Sequence, residues 1–353
     1  MIPGPIKQAC AQALSAGLSF ACFRMPGSEE VVFLADSGEG KPRSQLTFEI
    51  SPWLSGNTGR IVIRDRMDTE IIGSLRPQNP EAASAFVAEP AISREEYLAA
   101  VSKVIDSCRR RDGKTVYSRV ITGANPSLDI PETADRLFSE FPEAFGFLYF
   151  TPSTGCWLGA SPETLISVDF AEGKFSTMAL AGTRNLDAAD APWDDKNLRE
   201  NAFVADFFGG KFAALGLDYD ISPLESVTYG PVQHLCRKIT GKFTPADDMD
   251  SVLEAINPTP ALCGTPTDEA LRDIAACEPH SRRCYGGYVA VRTPGRLDAF
   301  VNLRSALVAT DGSGRINVFA GGGITPDSDP ATEFRETSAK ASRLLALLRE
   351  STD

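Results

Sequence analysis

The sequence predicts a mixed α/β (α+β) protein, and three observations carry that expectation. Apolar runs with period-2 alternation, such as Lys114 to Thr122, recur along the chain and read as strands. Segments with a 3.6-residue period stand between them and carry helix starts: a capping box from Ser93 to Glu96, and Asp329 before Pro330 as N-cap and first helical residue. The 353 residues, 42% of them hydrophobic, suffice for a large core, as one big domain or two.

Taken in order, residues 3–18 suggest a short amphipathic helix. Leu18 to Phe23 and Glu30 to Leu34 read as strands, as do Gln45 to Ile50 and Arg60 to Arg64. A polar, proline-bearing connector runs from Leu75 to Ala91. The capped helix from Ser93 follows, then the strand from Lys114, where a lysine is ordinarily an exposed end residue. Pro131 to Phe141 is a helix, Ala144 to Phe150 and Cys156 to Leu158 are strands, and Glu163 ends a turn before the strand Thr164 to Val168. Phe175 to Ala181 closes on Gly182, Thr183 and Arg184. An acidic loop, Asp187 to Asp195, precedes the helix Lys196 to Phe208, on which Glu200 sits at the border of the apolar stripe and needs a partner, a metal ion being one option. Val227 to Ile239 and Gly241 to Phe243 are strand-like. Three prolines and a glycine between Ile256 and Pro266 make a rigid loop that opens the helix Thr267 to Cys277. Tyr285 to Arg292 and Asp298 to Val308 form a strand pair; Arg304 lies inside the second, and a guanidinium buried there implies an anionic partner.

The last segment concentrates chemistry. A strand from Ile316 to Ala320 feeds a turn of Gly321, Gly322 and Gly323, and a helix runs from Pro330 to about Leu348. Glu333, Glu336 and Lys340 share one face of that helix. A solvated face with a Glu336–Lys340 ion pair is one reading. The bare glycine backbone beside the carboxylates supports another, a site that holds both an anion and a cation.

Composition narrows the function. With 35 Lys and Arg against 47 Asp and Glu, the net charge of −12 argues against a nucleic-acid or anionic-membrane partner. No run approaches the length of a membrane span and no leader pattern opens the chain, so the cytoplasm is expected. The eight cysteines form no C-x-x-C pair and read as buried thiols. With only His234 and His280 to add imidazole, zinc is not expected.

Nine segments in order resemble the chorismate-utilising enzymes, the family of isochorismate, salicylate, anthranilate and aminodeoxychorismate synthases. They are Lys114 to Arg119, Gly159 to Glu163, Leu180 to Arg184, Lys196 to Asn201, Val232 to Leu235, Asn257 to Gly264, Tyr285 to Gly287, Leu303 to Ala306, and the stretch from Val318 to Lys340. The resemblance implies a single large domain of two packed, mainly antiparallel sheets with outer helices. Residues 1–90 would form its strand-rich N-terminal part and residues 91–353 the chorismate-binding catalytic region.

Carried over by position, the resemblance implies Mg²⁺ between Glu200 and Glu336, with Glu333 as neighbour and a substrate carboxylate completing the shell. Arg304, Lys340 and the Gly321, Gly322 and Gly323 amides would bind the two carboxylates of chorismate, with Thr183, Ala261, Leu262 and Tyr285 also lining the substrate site. Lys114 stands where ammonia-using members carry Gln, so it favours water addition at C2 as the base, with Glu163 as the acid that protonates the leaving C4 hydroxyl. Ala261 with Leu262 is the pair seen in isochorismate synthases, whereas lyase members have Thr at the first position. The implied activity is a Mg²⁺-dependent isochorismate synthase, an isomerase serving a siderophore, quinone or another secondary product, and a monomer is expected. Salicylate-forming or aminating chemistry is the alternative within the family. Asn201 and Asn257 replace family histidines and Asn197 an acidic residue, which leaves a modified chorismate or a non-catalytic chorismate binder as further alternatives.

Overall fold

The computed structural model describes residues 1–55, 59–72, 86–186, 191–229 and 232–349. Parts of the expected connector (75–85) and acidic loop (187–190) lie outside the described residues. The order of elements is α1 (Gly4–Ser15), β1 (Ser19–Arg24), β2 (Val31–Asp36), β3 (Thr47–Ser51), β4 (Ile61–Arg64), α2 (Thr69–Ile72), α3 (Arg94–Arg111), β5 (Lys114–Ala124) and α4 (Ile130–Glu140). There follow β6 (Phe145–Thr151), β7 (Gly155–Ser161), β8 (Thr164–Asp169), β9 (Lys174–Asn185), α5 (Asp195–Ala214), β10 (Asp218–Ile221), β11 (Glu225–Tyr229) and β12 (Val232–Lys242). The chain ends with α6 (Met249–Ala255), β13 (Gly264–Thr265), α7 (Thr267–Cys277), β14 (Tyr288–Thr293), β15 (Arg296–Val301), β16 (Ser305–Val308), β17 (Arg315–Ile324) and α8 (Pro330–Arg349).

The helix starts form as their sequences dictate. Ser93 Oγ accepts from the Glu96 amide at 3.2 Å and the Glu96 carboxylate accepts from the Ser93 amide at 2.7 Å, completing the capping box. Asp329 accepts from the Thr332 amide at 2.8 Å at the head of α8.

Two sheets carry the fold. One is ordered β13-β5-β17-β16-β7-β6-β1-β2 and the other β10-β12-β9-β8-β15-β14-β3-β4, with β11 paired to β12; the described pairings are antiparallel. Their inner faces meet in one apolar cluster in which Phe23, Phe145, Phe147 and Trp157 of the first sheet pack on Phe48, Val168, Val289 and Phe300 of the second. Phe145 and Phe300 stack across that gap with centroids 4.1 Å apart and planes within 4°. The outer face of the first sheet is covered by α1, α4 and α8, while α3 packs on β5 and the end of β17. Helix α5 lies along β9 and β12, and Val204, Phe208 and Phe212 join the inter-sheet cluster.

Three local expectations change, each for a physical reason. The glycine run is no turn: Gly321, Gly322 and Gly323 continue β17 and pair with Ser118, Tyr117 and Val116 of β5. Glycine marks close approach of other groups to a strand as well as turns. The apolar run from Asp298 to Val308 is two strands, β15 in the second sheet and β16 in the first, so Arg304 lies in the crossing between sheets and not inside a strand. Its backbone is left-handed there, with φ 48°. Lys114 heads its strand but is fully buried.

The Phe145–Phe300 stack has the shortest centroid separation of the described aromatic pairs. Phe145→Ala is expected to cost about 3–5 kcal/mol, read as a lower urea midpoint at unchanged slope.

Candidate active site

A cleft of about 710 Å³, open mouth included, is lined by residues of both sheets. The first sheet supplies Val116, Phe319, Gly321 and Gly323; the second supplies Leu180, Gly182, Thr183 and His234. Glu163 enters from the β7–β8 turn, Glu200 from α5, Lys340 from α8, Ala261 and Leu262 from the proline loop, and Tyr285 and Arg304 from the connections around β14 to β16.

The bare strand decides how these groups meet. Glu200 Oε1 lies 2.9 Å from Lys114 Nζ, an ion contact outside the angle of a directed hydrogen bond. A Cβ on Gly323 would stand 2.1 Å from that oxygen and 2.8 Å from Lys114 Cε, so only glycine lets the pair cross the strand. Gly321 faces the same way, its would-be Cβ 3.0 Å from the Tyr285 hydroxyl. Gly322 points to the opposite face, where its missing side chain leaves room for Glu333 Oε2 at 3.1 Å. Of the three expected glycines, then, Gly321 and Gly323 line the cleft and Gly322 seats a carboxylate behind it.

Every acidic group expected at a metal is held by a lysine. Lys114 stands on Glu200, Lys196 on Glu333 at 2.8 Å, and Lys340 on Glu336 at 2.7 Å. Among the described residues no three His, Cys, Asp or Glu side chains gather into a ready ligand cluster. Lys340 also donates to the Gly321 carbonyl at 3.2 Å, at the cleft margin where the anion sites were expected.

His234 lies in the cleft although the sequence reading gave it no role. Arg304 Nη2 stands 3.1 Å from its Nε2, and a guanidinium can only donate, so Nε2 accepts. Nδ1 then carries the hydrogen and donates to Thr183 Oγ1 at 3.0 Å. Burial, with Arg304 and Lys340 adding to it, pushes this imidazole down to about 3, so it stays neutral. The signal available in the sequence was scarcity, one of only two histidines within an apolar strand.

A family model described as chorismate binding enzyme matches residues 60–346. The chain belongs to that family. Similar proteins include an isochorismate synthase MenF of Haemophilus influenzae, 32% identical over 58% of this chain and 49% of the relative. A salicylate biosynthesis isochorismate synthase of Pseudomonas aeruginosa is 33% identical over 76% of this chain and 58% of its own length. The aligned stretch thus spans about half the length of these curated relatives. In fold, the chain matches the menaquinone-specific isochorismate synthase MenF from Escherichia coli with TM-score 0.76 at 20% identity, over 97% of this chain and 91% of that one. Anthranilate synthase component I from Streptococcus pneumoniae matches with TM-score 0.64 at 17% identity, over 92% and 89% of the two chains.

Within this chorismate binding fold the two cleft carboxylates are set apart by their surroundings. Burial pushes Glu163 up to about 8, against the pull of Lys114 and Lys340, so it carries its proton at neutral pH. Burial would raise Glu200 too, but Lys114, Lys196 and Lys340 overcome it and hold that carboxyl down to about 2. Behind the strand, burial and the neighbouring Glu336 push Glu333 up to about 7 against Lys196.

The asparagines expected to replace family histidines, Asn201 and Asn257, are not among the residues that line the cleft. Asn201 is buried under α5, its amide donating to the Ala179, Ala181 and Leu235 carbonyls at 2.8, 3.3 and 3.1 Å. Asn257 lines a separate hollow with Ser51, Leu54 and Tyr288. Asn197 accepts from the Thr183 amide at 2.9 Å and so ties the head of α5 to a cleft-lining residue.

Glu163 makes stability pH-dependent. Its folded value of about 8 lies above the ordinary 4.5, so the folded state holds a proton that the unfolded state releases between those values. Its contribution is fully present below about pH 4.5 and is lost as pH rises towards about 8, at about 1.4 kcal/mol per unit. Urea titrations at pH 5.5 and 8.5 should show Glu163→Gln losing less stability between the two than the parent chain does.

Proposed function

We propose that the cleft isomerises chorismate to isochorismate by adding water at C2 and expelling the C4 hydroxyl. The observation that carries this reading is a cleft acid beside a buried lysine: Glu163, which lines the cleft and keeps its proton, and Lys114 at the head of β5, which is fully buried and reaches the cleft through its contact with the lining residue Glu200. In the unprotonated form that a base requires, Lys114 takes a proton from the attacking water. The ring double bonds shift, and Glu163 gives its proton to the departing C4 oxygen, which leaves as water. One water is consumed and one released, so the net reaction is an isomerisation.

The remaining groups bind and orient. Arg304 and Lys340 are the cations suited to the two substrate carboxylates, with the Gly321 and Gly323 backbone bare enough to let a carboxylate approach. His234 holds the Arg304 head and, through Thr183, one side of the ring site. Ala261 and Leu262 form an apolar wall that offers no polar group to assist a further elimination.

The donor chemistry suits Mg²⁺. Glu200 is ionised, Glu336 is paired with the cleft-lining Lys340, and Glu333 keeps a buried oxygen, Oε2, with no hydrogen-bond partner. Magnesium takes hard oxygen ligands, often one or two protein carboxylates with substrate and water, so a three-residue cluster is not required. Bound between Glu200 and Glu336, the ion would neutralise and orient a substrate carboxylate.

Purified protein given chorismate and Mg²⁺ should yield isochorismate by chromatography and NMR, with no turnover after chelation and recovery on adding Mg²⁺ back. Lys114→Ala and Glu163→Gln should each lower kcat by about 10²- to 10⁴-fold. Because Glu163 must be protonated to act, the rate should fall as pH rises through about 8. Salicylate with pyruvate as product would replace this reading with the lyase one. Chorismate recovered unchanged would favour the binding role or a modified substrate.

A further inference from the structure

One buried arginine outside the catalytic set reaches the walls of the cleft from behind. Arg282 is 3% exposed. Its Nη1 donates to the Leu262 carbonyl at 2.7 Å and its Nη2 to the Val116 carbonyl at 2.8 Å. Leu262 and Val116 both line the cleft, the first in the proline loop and the second two residues after Lys114. Two further donors go to Glu278, at 2.8 Å from Nε and 2.6 Å from Nη2. Glu278 in turn accepts from the amide and hydroxyl of Ser118, at 2.6 and 2.9 Å. The guanidinium also lies 4.4 Å from the Trp53 ring centroid.

A planar fork of this kind fixes several acceptors at set distances, which a lysine ammonium cannot do. Here the acceptors belong to the strand that carries Lys114 and to the wall made by Ala261 and Leu262. The two segments are otherwise joined through Val116 N to Cys263 O at 2.7 Å and the short β13–β5 ladder. We propose that Arg282 is a positioning residue that sets the spacing between the Lys114 strand and the Ala261–Leu262 wall, and with it the grip of the cleft on the substrate ring. The part concerning the ring rests on the chorismate reading; the part concerning the spacing does not.

Arg282→Lys keeps the charge beside Glu278 and removes the fork. In the ligand-free protein, amide hydrogen exchange across 259–265 and 114–118 should quicken about ten-fold while β6 and β7 keep their protection. With chorismate, KM should rise about five-fold or more with a smaller change in kcat. In a Leu262→Ala background the same substitution should change KM by less than about two-fold, because it acts through that wall. Trp53→Leu, which removes only the outer ring, should give the same exchange pattern in weaker form and serves if Arg282→Lys does not fold. Unchanged exchange in the two segments, or a lower kcat at constant KM, would overturn the proposal. A wild-type protein that leaves chorismate untouched would remove the catalytic reading while the exchange measurement still decides the role of Arg282.

Discussion

A strand with no side chains over Gly321, Gly322 and Gly323 lets charge crowd its backbone from both faces. Glu200 and Lys114 cross one face at distances that a single methyl group on Gly323 would forbid, and Glu333 fills the other, where a methyl group on Gly322 would crowd it. Burying an unpaired charge costs several kcal/mol even after relaxation, and the lysine opposite each carboxylate offsets that cost. Removing one member of such a buried pair typically costs about 3–5 kcal/mol. The site is therefore a balance of opposed charges held at contact, and the absent Cβ atoms permit the contact.

The same balance explains how two glutamates of one cleft come to differ. Glu200 stands against Lys114 directly and feels Lys196 and Lys340 as well, and it remains an anion. Glu163 lies deeper and feels Lys114 and Lys340 without an ion contact to either among the described pairs, so desolvation prevails and it stays neutral. One fixed set of cations thus yields an acid and an anionic donor side by side. Position relative to Lys114, and not residue type, draws the distinction.

Local rules made much of this legible in the sequence. The capping box at Ser93, the cap at Asp329 and the alternation from Lys114 to Thr122 are set by nearest neighbours, and they stand as read. The periodicity put Glu200 at the border of an apolar stripe, whereas it lies within the buried face of α5 with Asn197, Asn201 and Val204. What failed was non-local. Glycine propensity cannot tell a turn from a strand approached by carboxylates, and a continuous apolar run does not reveal that β15 and β16 belong to different sheets. Burial of Lys114 depends on Glu200, which lies far along the chain. Arg282 left no local trace at all, since its value comes from carbonyls contributed by two distant segments. His234 was visible as a rare residue type and as part of the Val232 to Leu235 segment, with nothing local to show its contact with Arg304.

The weave of the first sixty-four residues has a consequence for how this architecture can be divided. Strands β1 and β2 extend one sheet beside β6, while β3 and β4 extend the other beside β14. Cutting the chain after β4 would strip an edge from both layers at once and leave two open rows of backbone donors and acceptors. Neither layer is a contiguous stretch of polypeptide, so recombination cannot lift one out and graft it elsewhere.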